Sequence, residues 1–156
     1  MIFVTVGTNE APFDRLLQTV AELSTTEDLV VQHGSSSVRI PDTKTFAFLP
    51  FDSIVEHIRR ARVVVTHAGV GSTIVALSNG KRPVVVPRLR RFGEAVDDHQ
   101  LLFGRRFARA GLVTLVESPK DLERSLSGEH SLTAMAPGAG PLAADLRWFL
   151  EHEVAS

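Results

Sequence analysis

The chain has 156 residues, 44% of them hydrophobic, with a formal net charge of -1 at pH 7 and no cysteine. This length suits one domain with a substantial core and is too short for two ordinary domains. The near-neutral charge gives no reason to expect a nucleic-acid partner. Without cysteine there can be no disulfide and no thiolate metal site, which fits a cytoplasmic protein.

The N-terminal part of the chain alternates predicted strands with predicted helices. Residues 2–6 form a β-branched apolar run that ends at Gly7. This run is far shorter than a signal sequence or the roughly 20 residues that span a membrane, so it predicts a buried strand. Apolar residues at helical spacing between 13 and 23 predict the first helix. Residues 29–31 predict the second strand, and residues 45–49, closed by Pro50, predict the third.

The same alternation continues to residue 126. Residues 54–61 predict a helix and residues 63–65 a strand, followed by a loop with two glycines and a helix at 73–79. The later predicted elements are a strand at 84–86, a helix at 101–110, a strand at 112–116 and a short helix at 119–126. This pattern predicts an α/β domain with a doubly wound, Rossmann-like parallel sheet, whose ligands bind at the carboxyl ends of the strands.

The C-terminal part has a different composition. Residues 127–141 are rich in Gly, Ser, Ala and Pro, which predicts a loop or linker. Residues 142–156 have apolar side chains at helical spacing around Trp148, which predicts a terminal helix. This helix is expected to pack on the domain formed by residues 1–126 or on a partner.

The segment from Thr66 to Thr73, with the sequence THAGVGST, joins a predicted strand to a predicted helix. Small residues let backbone N–H groups approach an anion, and a helix N-terminus adds a favourable dipole, so this segment predicts a phosphate or diphosphate site. A tight structural turn is the alternative role for Gly69 and Gly71. Ile74 replaces the third glycine of a dinucleotide fingerprint, and no acidic residue follows the second strand, so a nicotinamide enzyme is disfavoured.

Two further turns carry polar groups at the same predicted edge of the sheet. Gly7 and Thr8 follow the first strand, where they would either face the same ligand or simply cap a helix. His67 is either a core histidine bonded to a carbonyl or a ligand-binding or catalytic residue.

A third polar group follows the fifth strand. Asp97, Asp98 and His99 lie on one turn, which is thin evidence for a metal, and no metal is expected. A basic loop with Arg88, Arg90 and Arg91 precedes them. Its side chains either contact solvent or bind the phosphate of a ligand or of lipid headgroups.

Four segments, taken in order, resemble the C-terminal, donor-binding domain of family 28 glycosyltransferases. They are residues 1–8, 67–72, 83–87 and 92–100, and the resemblance covers roughly the first 125 residues. It is strongest to stand-alone subunits, such as the small catalytic subunit of the dolichol-linked N-acetylglucosaminyltransferase and bacterial exopolysaccharide transferase halves. The resemblance implies the C-terminal half of a GT-B enzyme.

The resemblance also implies roles for individual residues in binding a UDP-sugar. The backbone at Phe51 would contact the uracil edge, and His99 and Gln100 would bond sugar hydroxyls. The turns that would hold the diphosphate contain Gly7, Thr8, Gly69, Gly71, Ser72 and Thr73. Arg88 and Asp98 complete the predicted binding set, and His67 is the candidate catalytic residue.

One position departs from the family pattern. Many relatives carry an acidic residue for the ribose hydroxyls in the helix after the glycine loop, where this chain has Val75. Either Glu94 or a nearby group substitutes for it, or uridine is recognised differently here.

The function implied is that of a donor-binding subunit that moves a sugar from a UDP-sugar to a lipid-linked or polysaccharide acceptor. The leaving diphosphate can be stabilised by helix N-termini, hydroxyls and an arginine, so no metal cofactor is expected. One lobe of a two-lobed enzyme implies a membrane-associated, acceptor-binding partner that recruits the chain to the inner face of the membrane. Two alternatives stay open: a nucleotide-sugar-binding or regulatory module without turnover, and an interaction protein or homodimer that has lost nucleotide binding.

Overall fold

The computed structural model describes residues 1–131, which form a six-stranded parallel sheet with helices on both faces. The strands are β1 (Ile2–Thr5), β2 (Leu29–Gln32), β3 (Lys44–Phe46), β4 (Val63–His67), β5 (Val84–Val86) and β6 (Thr114–Leu115). The helices are α1 (Asp14–Ala21), α2 (Phe51–Arg60), α3 (Val70–Ser78), α4 (His99–Arg109) and α5 (Leu122–Ser125). In this part of the chain, no helix is long and apolar enough to cross a membrane.

The strand order places the ends of β1 and β4 side by side at the centre of the sheet. The order is β3-β2-β1-β4-β5-β6, and every neighbouring pair is parallel. In the register, Ile2 of β1 pairs with Leu29 of β2 and with Val63 of β4. Because the connections diverge from this central pair, a crevice opens outside its carboxyl ends, where ligands of such sheets bind.

The central strands are apolar because both of their faces are covered. On one face, Val4 and Val65 pack with residues of α1 and α5 in one core cluster. On the other face, Phe3 and Val64 pack with α2 and α3, and Val85 packs with α4. This arrangement confirms the predicted doubly wound α/β fold.

Three helices begin two or three residues earlier than the apolar spacing predicted. They begin at Phe51, Val70 and His99 rather than at residues 54, 73 and 101. The first turns of these helices contain polar or small residues such as Asp52, Ser72 and His99, so the apolar spacing starts only after them. β3 is also shorter than predicted and ends at Phe46.

The first residues of the predicted linker pack against the domain. His130 is buried, the Arg82 N–H donates to its carbonyl at 2.8 Å, and Lys81 pairs with Ser131 in an antiparallel bridge. The rest of the predicted linker and the predicted terminal helix lie outside the described residues.

Candidate functional site

A cleft of about 380 Å³ lies outside the carboxyl ends of β1 and β4. The turn after β1 borders it with Gly7 and Thr8, and the first turns of α3 border it with Gly71, Ser72 and Val75. Its remaining lining residues are Thr5, Gln32, Phe48, Leu49, Phe51, Ile54 and Ile58. The structure therefore brings together six residues that the sequence analysis had singled out on three separate segments.

The N-terminus of α3 opens toward this cleft. Gly69 caps the helix in an extended conformation, and the Thr73 N–H donates to the Gly69 carbonyl at 3.1 Å. The N–H groups of Val70, Gly71 and Ser72 precede this first hydrogen bond, so they are the orphan donors of the helix. Such donors, together with the helix dipole, form a site for an anion.

Thr73, which was predicted to hold the diphosphate as part of this helix start, does not present its side chain to the cleft. Thr73 is fully buried, and its hydroxyl donates to the Gly69 carbonyl at 2.8 Å. Because α3 begins at Val70, Thr73 lies in the second half of the first turn and faces the interior. The backbone N–H groups that remain free at this helix start are those of residues 70–72.

Two glycines make room for the imidazole of His67. A Cβ on Gly7 would overlap His67 Nε2, and a Cβ on Gly69 would overlap His67 Cε1. Gly7 also has a φ of +76°, which disfavours other residues. Gly71 differs, because a Cβ there would meet no protein atom within 4 Å and would project into open space. Gly7 and Gly69 therefore hold the histidine, whereas Gly71 leaves room in the cleft.

This difference gives a testable prediction. We expect Gly69→Ala to lower the free energy of unfolding by roughly 2 kcal/mol or more, because the methyl group collides with a packed ring. Gly71→Ala should leave stability unchanged or raise it by up to about 1 kcal/mol, since alanine favours helix. Urea unfolding of both variants measures the two effects. Equal stability of the two variants would contradict the packing role of Gly69.

Both ring nitrogens of His67 have hydrogen-bond partners in the protein. His67 Nε2 lies 3.2 Å from Ser72 Oγ, and His67 Nδ1 lies 3.3 Å from Gln100 Nε2. Gln100 Oε1 in turn accepts from the Arg88 N–H at 3.0 Å. The Gln100 amide nitrogen has a second hydrogen, so its donation to a sugar hydroxyl stays a prediction.

Burial, with a smaller contribution from the charge of Arg88, lowers the pKa of His67 to about 4. The ordinary histidine pKa is about 6.5. Between that pH and about pH 4, the unfolded chain therefore binds up to one more proton than the native chain. The contribution of His67 to the free energy of unfolding is fully present above that ordinary pKa and is lost as the pH falls toward 4.

We therefore expect the wild-type chain to lose up to about 3 kcal/mol more stability than His67→Asn between about pH 7 and pH 4. Urea unfolding at several pH values measures this difference in slope. Parallel pH profiles for the two proteins would show that His67 is not held neutral.

Arg88 is a structural residue, so its predicted contact with ligand phosphate or lipid headgroups is wrong. The side chain is 0% exposed, and its guanidinium donates to the carbonyls of Val6, Ala11 and Glu94 at 2.9–3.3 Å. It also stacks over the ring of Phe13. Burial lowers the pKa of Arg88 and the Glu94 carboxylate opposes this. Arg88 ties the turn after β1 to the loop after β5.

Glu94 does not substitute for the acidic residue missing at Val75. Its carboxylate accepts two hydrogen bonds from Arg15, at 2.9 and 3.0 Å, and one from the Leu89 N–H. The residue is 4% exposed and is not among those that line the cleft. Because Glu94 is buried and does not line the cleft, its carboxylate is not presented to the ribose hydroxyls of a ligand there. Arg15, which the sequence analysis missed, gave no local signal because its partner lies 79 residues away.

The remaining predicted residues lie on the turn before α4. Asp98 Oδ1 accepts from the Arg90 N–H at 2.9 Å, and His99 Nδ1 lies 2.9 Å from Asp97. His99 is more than half exposed at the start of α4. Among residues 1–131, no three or more His, Asp or Glu side chains are grouped closely enough to hold a metal ion. Sugar binding by His99 and Asp98 stays a prediction.

The interior wall of the cleft offers little hydrogen-bonding capacity. Gln32 donates to the carbonyls of Gly7 and Ala47, and its Oε1 accepts from the Thr5 hydroxyl at 2.5 Å. Both side chains are thereby committed to the protein. The sequence signal for Gln32 was a polar residue at the end of a buried strand, which needs an internal partner. Apart from Thr5, Thr8, Gln32 and Ser72, the side chains that line the cleft are apolar.

Solved structures share this fold. The kitacinnamycin glycotransferase matches with a TM-score of 0.59 and 18% identity over 80% of this chain and 33% of its own. CalG4, the calicheamicin glycosyltransferase, matches with a TM-score of 0.58 and 17% identity, over 80% of this chain and 33% of its own. MurG of Acinetobacter baumannii matches with a TM-score of 0.57 and 20% identity, over 79% of this chain and 39% of its own. At these identities the likeness shows the fold, which is the Rossmann-like α/β fold of GT-B glycosyltransferases.

The sequence gives the family. The model of the glycosyltransferase family 28 C-terminal domain matches residues 1–132, and the chain belongs to this family. A human relative, the UDP-N-acetylglucosamine transferase subunit ALG13, is 31% identical over 124 aligned residues, and the match covers 70% of this chain. The matched segment is 10% of that protein, so the chain corresponds to a small part of it. The predicted family resemblance is confirmed.

Proposed function

We propose that this chain is the donor-binding subunit of a glycosyltransferase that uses a UDP-sugar. The observation that carries the proposal is the convergence of two donor-rich turns on one cleft. Gly7 and Thr8 after β1 and the N-terminus of α3 after β4 both border it. A diphosphate placed between them would accept hydrogen bonds from backbone N–H groups and from the hydroxyls of Thr8 and Ser72.

The base would lie toward the first turn of α2. The first helical hydrogen bond there runs from the Ile54 N–H to the Pro50 carbonyl at 3.1 Å, so the N–H of Phe51 precedes it and can meet a base edge. Phe51 and Phe48 are 65% and 55% exposed on the same cleft, where their rings can cover a planar base. The human relative is a UDP-N-acetylglucosamine transferase subunit, which supports uridine as the nucleoside and N-acetylglucosamine as the sugar.

A partner subunit is part of the proposal. The described residues form one lobe, and a transferase needs an acceptor hydroxyl delivered to the anomeric carbon with water excluded. The relative ALG13 is itself named a subunit. We infer that a membrane-associated subunit supplies the lipid-linked or polysaccharide acceptor and holds this chain at the cytoplasmic face. No metal is required, because helix donors and hydroxyls can stabilise the leaving diphosphate.

Calorimetry with the full chain tests donor binding. UDP and UDP-N-acetylglucosamine are expected to bind, and GDP is expected to bind more weakly. The absence of binding by UDP and GDP species at roughly millimolar concentration, the weak end of measurable affinity, would overturn the proposal. Tighter binding of GDP than of UDP would overturn the base assignment.

An assay of sugar transfer tests whether the chain needs a partner subunit. The purified chain should transfer no sugar to a lipid-linked acceptor, and should gain activity when solubilised membranes of its source are added. Robust transfer by the chain alone would contradict the two-subunit arrangement.

The alternative, a nucleotide-sugar-binding module without turnover, is favoured by Val75 in place of the family's carboxylate. It predicts that the chain binds the donor but releases no UDP in the presence of acceptor, even after membranes are added.

The apolar position at Val75 gives a prediction about the ribose. We expect UDP and 2′-deoxy-UDP to bind the wild-type chain within about threefold of each other, because the described wall offers the 2′-hydroxyl no carboxylate. Val75→Glu should raise the preference for UDP to roughly tenfold or more, since a hydrogen bond to a charged group contributes about 1.5–3 kcal/mol. Val75→Gln is the neutral control. A wild-type preference for UDP above about tenfold, calculated from the same calorimetric titrations, would contradict this prediction.

A further inference from the structure

A continuous line of hydrogen bonds joins the backbone of the loop after β5 to the anion site. It runs from the Arg88 N–H to Gln100 Oε1, from Gln100 Nε2 to His67 Nδ1, and from His67 Nε2 to Ser72 Oγ. The three distances are 3.0, 3.3 and 3.2 Å. The line joins three segments of the chain: the loop after β5, the start of α4, and the segment from Thr66 to Thr73, which contains both His67 and Ser72.

The direction of every bond in this line follows from its first member. A backbone N–H can only donate, so the Gln100 atom that faces Arg88 must be the amide oxygen. The other end of the amide is then the NH₂ group, which can only donate to His67 Nδ1. A neutral imidazole whose Nδ1 accepts carries its proton on Nε2. That Nε2–H donates to Ser72 Oγ.

We propose that Gln100 and His67 are positioning residues that make Ser72 a hydrogen-bond donor toward the anion in the cleft. With one lone pair of Ser72 Oγ occupied by the imidazole N–H, the hydroxyl hydrogen points away from His67. Ser72 borders the cleft, and its hydrogen is then available to a phosphate oxygen. The inference rests on the proposed function, because that function places a diphosphate there.

The packing around the ring keeps this polarity fixed. A Cβ on Gly7 or on Gly69 would overlap the imidazole, so both turns lie close to the ring. A flip of the ring would exchange Nδ1 with Cδ2 and Nε2 with Cε1, and would break the hydrogen bonds to Gln100 and Ser72. Arg88 is the charged group that acts on the ring, and it favours the neutral form. A neutral imidazole with Nδ1 accepting and Nε2–H donating has no lone pair left for a substrate proton. His67 is therefore assigned to positioning rather than to general-base catalysis.

The tautomer can be observed directly. In the full chain labelled with ¹⁵N-histidine, long-range ¹H–¹⁵N correlation near neutral pH distinguishes Nε2–H from Nδ1–H imidazole, and His67→Asn assigns the signal. The Nε2–H form is expected. Gln100→Glu replaces the donor at Nδ1 with an acceptor, so Nδ1 should become protonated in that variant. An Nδ1–H tautomer in the wild-type chain would overturn the proposal.

A double-mutant cycle on UDP affinity tests the route through Ser72. His67→Ala should weaken UDP binding about tenfold in the wild-type background, and less than about twofold in the Ser72→Ala background. Equal losses in both backgrounds would show a structural role and overturn the proposal. If the wild-type chain binds UDP but carries the Nδ1–H tautomer, only this inference fails. If it binds no nucleoside diphosphate, the proposed function fails as well.

Discussion

Ser72→Asp is expected to abolish binding of UDP to this chain. The Ser72 side chain borders the cleft next to the orphan N–H groups of α3, so a carboxylate there would lie against the diphosphate. Two unit charges of like sign about 4 Å apart repel by about 4 kcal/mol at an effective dielectric constant of about 20. Affinity should fall by at least about 100-fold, because each 1.4 kcal/mol is a factor of ten.

Ser72→Asn is the matched control for this experiment. It has nearly the size of aspartate but no charge, so it reports the steric effect alone. Calorimetric titration of both variants with UDP, with circular dichroism to confirm that they are folded, separates the two contributions. Binding of UDP to Ser72→Asp within about threefold of Ser72→Asn would place the diphosphate elsewhere.

Arg88→Leu is expected to destabilise the fold by roughly 3–5 kcal/mol. The side chain is completely buried and donates to the carbonyls of Val6, Ala11 and Glu94, which the variant would leave without a donor. Each buried polar group left unpaired costs about 1–3 kcal/mol. The Glu94 carboxylate would also lose the nearby positive charge that acts on it. Urea unfolding monitored by circular dichroism measures the loss.

Arg90→Leu serves as the control, because Arg90 lies on the same loop but is exposed. Its effect on stability should stay within about 0.5 kcal/mol. If Arg88→Leu were as stable as wild type but had lost UDP affinity, the ligand contact that the sequence suggested for Arg88 would be restored. Normal binding per folded molecule, at reduced stability, supports the structural role.

The contrast between Arg88 and Ser72 shows which predictions depend on tertiary contacts. Both residues lie next to glycine or proline at the carboxyl edge of the sheet, and both have side chains that can bind phosphate. Only Ser72 reaches the cleft. Arg88 turns inward because three carbonyls from the turn after β1, from residue 11 and from the loop itself converge on it. A sequence does not reveal where carbonyls separated by 77 and 82 residues meet.

The sequence alone determined the order of strands and helices, the parallel sheet and the edge at which a ligand would bind. Apolar runs buried on both faces, and glycine after β1 and before α3, act locally and are visible in the residues themselves. Only the tertiary structure decided which polar side chains at that edge face the cleft. Arg88, Glu94 and Thr73 satisfy buried partners, and Gln32 and His67 are held by hydrogen bonds inside the protein. The physical reason is that a buried polar group must be paired, and its partner comes from another segment that folding alone brings near.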